Sequence, residues 1–317
     1  MNRKDFLKYI GAGTLGLTLA PQLVLAKSIP SFEEQKGWKK LTILHTNDQH
    51  SRIEPFEASY TKNPNQGGFA RRAALIQKIR SEENNVMLLD SGDVFQGTPY
   101  FNFFGGELEF RLMSMMGYEA STMGNHEFDN GLEGFKKALP HAKFPHICSN
   151  YDFKNTILDG HTIPYKIFDK KGIKVGVFAV GVELKGLVGK KSYGETAYLD
   201  PIEIAQHYSD LLKKDNKCDL VICLSHIGYD YQDNPNQVSD KHLAAKTSGI
   251  DLILGGHTHT FLAEPQNFIN KTGKNVIVNQ VGWAGLLLGR LDFYFDKNKN
   301  LKNISWQNQV IDESIIT

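Results

Sequence analysis

Residues 220–259, LVICLSHIGYDYQDNPNQVSDKHLAAKTSGIDLILGGHTH, carry the pattern from which the fold follows. An apolar, β-rich run at 220–225, helical spacing over 239–246 and a second apolar run at 252–254 make one strand–helix–strand unit. Each apolar run stops on polar residues, Ser225-His226 after the first and Gly255-Gly256-His257-Thr258-His259 after the second. Open α/β sheets place their ligands at the carboxyl ends of strands, so these histidines stand where chemistry is expected.

The same alternation extends in both directions. Apolar runs predict strands at 41–46, 86–90, 174–180, 276–281 and 287–295, and helical spacing covers 69–83, 107–116, 132–138 and 201–214. Alternating strands and helices define an α/β protein. The late strands follow one another without helices between them, which points to a mixed sheet or a second sheet, and two packed sheets clad in helices fit. No repeat or linker divides the chain, so residues 38–317 are expected to form a single domain. The longest candidate rim or lid segment is 183–200, with three glycines and the Lys190-Lys191 pair.

Composition narrows the partners. Over 317 residues, 36 Lys plus Arg balance 35 Asp plus Glu to a net charge of +1, so no basic field exists to attract a nucleic acid. A chain this long buries a full core without disulfides, and Cys148, Cys218 and Cys223 read as core thiols. The first 26 residues have the layout of a bacterial export signal: a basic start with Arg3, Lys4 and Lys8, an apolar centre, and a small-residue site ending at Ala26. Arg3-Lys4-Asp5-Phe6-Leu7-Lys8 resembles a twin-arginine signal with lysine in place of the second arginine, leaving the Tat-like and Sec routes both open. Residues 27–37 read as a linker. The expected location is periplasmic or secreted, with no membrane span after cleavage, because glycines and Pro21 interrupt a stretch too short to cross a bilayer.

Five motifs carry chemistry: Asn47-Asp48-Gln49-His50, Asp90-Ser91-Gly92-Asp93, Gly124-Asn125-His126-Glu127-Phe128-Asp129, Ser225-His226 and Gly255-Gly256-His257-Thr258-His259. Singly, an Asp-x-His is a common surface pair and a Gly-Asp is a common turn; together, in order and at strand ends, they make a site. Asp48 and His50 are two residues apart, as are His257 and His259, so in extended backbone each pair faces one side and can grip a metal. Carboxylate and imidazole without thiolate suit two divalent ions of Zn, Mn, Fe or Co and argue against calcium. Two such ions against two carboxylates leave a formal charge of about +2, which attracts a phosphate group and lowers the pKa of bound water. Phosphate-ester hydrolysis by the hydroxide so produced is the expected reaction.

With these motifs, and with Gly67-Gly68-Phe69-Ala70-Arg71 and Leu199-Asp200-Pro201, residues 41–311 resemble the calcineurin-like metallophosphoesterases. Within them, the chain is similar to the catalytic domain of the 5′-nucleotidase and UDP-sugar hydrolase family. The resemblance implies a four-layer α/β/β/α sandwich of two mixed sheets. It implies one metal on Asp48, His50 and His259, another on Asn125, His226 and His257, and Asp93 bridging them. It also implies a His126–Asp129 catalytic dyad and a small phosphorylated substrate, a nucleotide. Glu127 is expected to be structural, Asp90 a strand-end acid, and Arg52 exposed rather than on phosphate. Nucleotide-cleaving members carry a second domain that holds the base, for which this sequence has no room, so a separate polypeptide is the expected partner. The rival readings are a phosphodiesterase or sulfur-ester hydrolase of the same fold, and a metal-bearing binding subunit without catalysis.

Overall fold

The computed structural model describes residues 37–315. The export-signal segment at 1–26, and all of the 27–37 linker but its last residue, lie outside the described residues. Among the described residues no helix is long and apolar enough to cross a membrane.

Among the described residues, fourteen strands and seven α-helices follow in order: β1 (Lys39–Thr46), α1 (Phe69–Glu82), β2 (Val86–Asp90), α2 (Pro99–Phe104), α3 (Glu107–Met116), β3 (Ala120–Ser121), α4 (Gly131–Ala138), β4 (Tyr151–Asp152), β5 (Tyr165–Lys170), β6 (Ile173–Gly181), α5 (Lys190–Tyr193), β7 (Ala197–Tyr198), α6 (Pro201–Asp210), β8 (Leu220–His226), α7 (Asp240–Lys246), β9 (Leu252–Leu254), β10 (Gln266–Ile269), β11 (Asn275–Asn279), β12 (Leu287–Phe295), β13 (Leu301–Trp306) and β14 (Gln309–Val310). The first sheet runs β13-β12-β1-β2-β3 with β14 on β12, and the second runs β10-β11-β9-β8-β6-β5. In the first, β1, β2 and β3 are parallel while β12 runs against β1. In the second, β6, β8, β9 and β11 are parallel and the edges β5 and β10 are antiparallel. Both sheets are therefore mixed.

Strand periodicity explains the layering. In β8, Leu220, Ile222 and Leu224 join Leu41, Ile43, Met87 and Leu89 of the first sheet in a core between the sheets. Alternate residues Val221 and Cys223 face the other way, toward Ala205 of α6 and Leu243 and Ala244 of α7. On the far side, Leu44 and Leu88 meet Ile76, Phe110, Met113 and Phe135 of α1, α3 and α4. Both faces of the central strands are buried, which is why they read as unbroken apolar runs. The result is helix, sheet, sheet, helix. Cys148, Cys218 and Cys223 are free and buried, as expected.

Departures from the expected elements have local causes. Strand β5 was not anticipated; it pairs with β6 through a two-residue turn in which Lys171 and Gly172 both have positive φ, at 55° and 84°, a hairpin geometry usually signalled by Asn-Gly. Strand β13 is a partly exposed edge whose polar residues hide its period. The helix expected over 201–214 starts where its signals lie, with Asp200 Oδ1 accepting the N–H groups of Ile202 and Glu203 at 2.8 and 3.0 Å and Pro201 in the first turn. Its last turn, Leu211–Asp215, widens into a π-helix. The 183–200 segment, read as a candidate lid or rim, contains the short elements α5 and β7, and β7 pairs with β4.

Phe110 is fully buried and touches Phe95, Phe135 and Phe144, with ring centroids 4.8, 6.0 and 6.0 Å away. Phe110→Ala should cost about 3–5 kcal/mol of unfolding free energy in a urea titration, from lost transfer energy and the cavity left behind.

Candidate metal centre

Asp48 and His50 follow β1, Asp93 follows β2, Asn125 and His126 follow β3, His226 ends β8, and His257 and His259 follow β9. The strand ends of both sheets thus deliver side chains to one place. Their backbone is not extended, contrary to the expectation for the two-residue spacings. Asp48, His50, Asp93, His257 and His259 all have positive φ, at 50°, 48°, 54°, 73° and 51°. Such residues cost on the order of 1–3 kcal/mol each and persist only where the surroundings enforce them. Here loop-to-loop bonds do so: Asp48 N–H donates to Gly92 O (2.9 Å), His50 N–H to Asp93 O (3.0 Å) and Ala284 N–H to Asp48 O (2.7 Å). The turned backbone sends His257 and His259 to different places.

Two groups result. Asp48, His50 and His259 have ligand-type atoms within 4.8 Å of one another, and so do Asp93, His226 and His257. In the first, His259 Nε2 lies 2.9 Å from His50 Nε2 and 3.4 Å from Asp48 Oδ1. In the second, His226 Nε2 lies 3.0 Å from Asp93 Oδ2, and 3.9 Å from Asp48 Oδ1, which joins the groups. Asn125 sits between Gly124, whose Cβ would overlap Asp93 Oδ1 and His226 Nε2, and His126, whose N–H donates to Asp93 Oδ1 at 2.8 Å. Its Oδ1 is buried without a hydrogen-bond partner.

The electrostatics fit a cation site. Burial disfavours the Asp93 charge, yet His226 beside it holds the carboxyl well below its usual range. His226 is likewise pushed up to about 10 against its own burial by Asp93 and, more weakly, Asp48. Burial, with the His226 charge adding to it, lowers His257 to about 4, and burial lowers His50 too. Two buried carboxylates therefore face one another across a proton on His226, together with neutral imidazoles and an unpaired amide oxygen. This donor set suits divalent ions that accept nitrogen and oxygen ligands.

The His126–Asp129 pair lies at the rim. His126 Nδ1 is 2.8 Å from Asp129 Oδ2, both side chains are 31% exposed, and the His126 ring centroid is 5.1 Å from that of His50. Burial opposes the imidazolium, but the Asp129 hydrogen bond and the Asp93 charge raise its pKa to about 9. At neutral pH it carries a proton.

Behind these groups lies a scaffold only partly foreseen. Glu127 is structural, as expected: its carboxylate accepts the N–H groups of Asp93, Val94, Phe95 and Gly124. Asp90 is a strand-end acid that accepts from Thr46, Gln49, Ser121 and the Gly92 N–H. Arg52 is half-buried, its guanidinium 4.1 Å over the Phe56 ring, rather than exposed. Asn47 of the first motif takes a role not foreseen, bonded to Gly282 O and the Val281 N–H at 2.6 and 3.0 Å, and Trp283, stacked on His259 at 5.7 Å and 10°, was not foreseen at all. Both belong to or grip the β11–β12 connection, which carries no ligand-type motif.

Fold and paired carboxylate–imidazole groups together define a phosphoesterase domain of the metal-dependent kind. The chain belongs to the calcineurin-like phosphoesterase family, whose model matches residues 41–261. It is 34% identical over 307 residues to the snake venom 5′-nucleotidase of Gloydius brevicauda, covering 88% of this chain and 49% of that protein. It is 35% identical over 325 residues to the 5′-nucleotidase of Rattus norvegicus, covering 93% and 53%. Among solved structures, the 5′-nucleotidase precursor of Thermus thermophilus superposes with a TM-score of 0.78 at 31% identity, over 87% of this chain and 55% of the other. The chain spans about half the length of the curated relatives it matches.

The dyad makes a titration prediction. In the metal-free protein, ¹⁵N-histidine NMR should place His126 near pKa 9, and Asp129→Asn should bring it down toward the ordinary value of 6.5. Because the folded pKa lies above the unfolded one, the pair's stabilisation is complete below about pH 6.5 and disappears as pH rises through about 9.

Proposed function

We propose that this protein is an exported, dinuclear metal-dependent phosphohydrolase that removes phosphate from 5′-nucleotides. The observation that carries the reading is the convergence of six side chains from both sheets into two adjoining groups, with the buried, unpaired oxygen of Asn125 on the turn after β3 that also carries His126. Asp48, His50 and His259 would hold one cation; Asn125, His226 and His257 would hold the other; Asp93, bonded on one side to the His126 N–H and on the other to His226, would bridge. Bound divalent ions supply positive charge for the phosphoryl oxygens and an activated water.

The chain's own groups do the rest. Asp129 fixes the His126 ring through Nδ1, and the protonated ring presents its Nε2–H to an oxygen of the substrate, neutralising charge there or donating to the leaving group. Glu127 keeps Asp93 and Gly124 at fixed separation. The nucleotide as substrate is supported by the names of the relatives, and export by the sequence pattern of residues 1–26.

Assays of phosphate release from AMP with added Mn²⁺, Zn²⁺ or Co²⁺ test the reading directly. Asp93→Asn should abolish turnover and metal loading, whereas His126→Asn should lower kcat by about 10²–10⁴-fold with metal content unchanged by elemental analysis. Wild-type rates in metal-replete Asp93→Asn protein would overturn it. Calorimetry adds an independent check. A metal-bound imidazole is neutral, so loading the metal-free protein at pH 7 should release at least one proton, the one on His226. The His226 share of the release should fade as the pH passes about 10.

A further inference from the structure

The two groups of ligand-type side chains are not held alike. In the second, the His226 ring is tied through both nitrogens, with Nδ1 2.7 Å from Ser91 O and Nε2 3.0 Å from Asp93 Oδ2. A hydrogen bond to the nitrogen that faces away from the metal is the usual way a protein fixes the ring of a ligating histidine. His259 has no such bond among the described residues: its polar contacts, to His50 Nε2 at 2.9 Å and Asp48 Oδ1 at 3.4 Å, both run through Nε2. Its side chain is also 40% exposed, against 8% for His50 and none for Asp48. Nothing polar keeps this ring from turning toward solvent.

A tryptophan stands where that hydrogen bond is missing. The indole of Trp283 lies against the His259 ring at 10° with centroids 5.7 Å apart, and meets His50 at 64° and 6.4 Å. Offset parallel rings attract, so the stack favours one orientation of the imidazole. Among the described residues the ring contacts of Trp283 are His50, Phe56 and His259, and include neither His226 nor His257.

The indole is itself held. On one side Val281 N–H donates to Asn47 Oδ1 at 3.0 Å and Asn47 Nδ2 donates to Gly282 O at 2.6 Å; on the other, Ala284 N–H donates to Asp48 O at 2.7 Å. Phe56 packs edge-on at 5.9 Å and 69°, within a small apolar cluster that includes Ala284 and Leu286. Trp283 is therefore fastened to the loop that carries Asp48 and His50, and it leans on a ligand delivered by the other sheet. We propose that Trp283 is a positioning residue of the metal centre, whose indole holds the His259 imidazole in its ligating orientation and so sets the affinity of the Asp48–His50–His259 group for its ion. This role presupposes the dinuclear centre proposed above. It makes the two ions unequal, since one feels the indole and the other does not.

Two measurements on the full chain test the role. In the metal-free protein, NMR should find the His259 ring protons, assigned by their absence in His259→Gln, shifted upfield by the indole ring current. Trp283→Leu should abolish that shift and Trp283→Phe should keep part of it. Calorimetric titration with Zn²⁺ should then resolve two ions in the wild-type protein. Trp283→Leu should weaken, by about three- to tenfold, the ion that His259→Gln removes, as expected from the loss of one aromatic pair, and leave the other unchanged. Trp283→Phe should restore affinity toward the wild-type value. Equal weakening of both ions in Trp283→Leu would mark a merely structural residue and overturn the proposal, as would unchanged affinity. Unshifted His259 resonances in the wild-type protein would overturn it too, whether or not the leucine variant folds. Any of these results in a chain that takes up two ions would sink the role of Trp283 alone; failure of the wild-type chain to bind Zn²⁺ would sink the dinuclear reading with it.

Discussion

Four backbone N–H groups converge on the buried carboxylate of Glu127, and the rest of the site depends on that convergence. Three of them belong to the turn after β2 and one to the turn after β3. A single side chain therefore locks the loop that presents Asp93 to the loop that presents Asn125 and His126. Burial and the charge of Asp93 work against its ionised form and lift its pKa to about 7 despite these bonds. Cations near Asp93 would offset that charge and favour the ionised carboxylate, so occupancy of the centre and rigidity of its loops support each other.

The sandwich makes such a centre possible because each sheet contributes only part of it. The first sheet brings both carboxylates, Asp48 and Asp93, with His50, and the second brings His226, His257 and His259. Sliding one sheet over the other would separate the carboxylates from three of the four imidazoles in the two groups. The core between the sheets resists this: Leu41, Ile43, Met87 and Leu89 pack against Val175, Val177, Leu220 and Ile222, all of them fully buried. Packing at interior density transmits strain rather than absorbing it. Precision at the strand ends is thus a property of the apolar interface beneath them.

The strands of the double core were legible because they are buried on both faces and read as apolar runs ended by glycine and polar residues. The ligand-type residues were legible for the same reason, each standing where such a run stops. Edge elements were not: β5 hides behind a Lys171-Gly172 turn, and β13 mixes Lys302, Asn303 and Ser305 with its apolar positions. Backbone conformation was misread around Asp48 and His257, where spacing suggested extended pairs and tertiary bonds impose left-handed turns. Trp283 carried no signal beyond its own identity, and Asn47 stood in a motif that did not tell its role, since both roles exist only once the β11–β12 connection has folded against the loop after β1.

The three thiols have a consequence for where this domain can work. Cys148, Cys218 and Cys223 are all buried, and burial pushes each away from the thiolate form, Cys148 to about 12. Oxidants, disulfide-exchange enzymes and soft metals act on thiolates that they can reach. The folded domain offers them none among its described residues. These buried thiols neither staple the domain to itself nor crosslink it to a neighbour in an oxidising compartment.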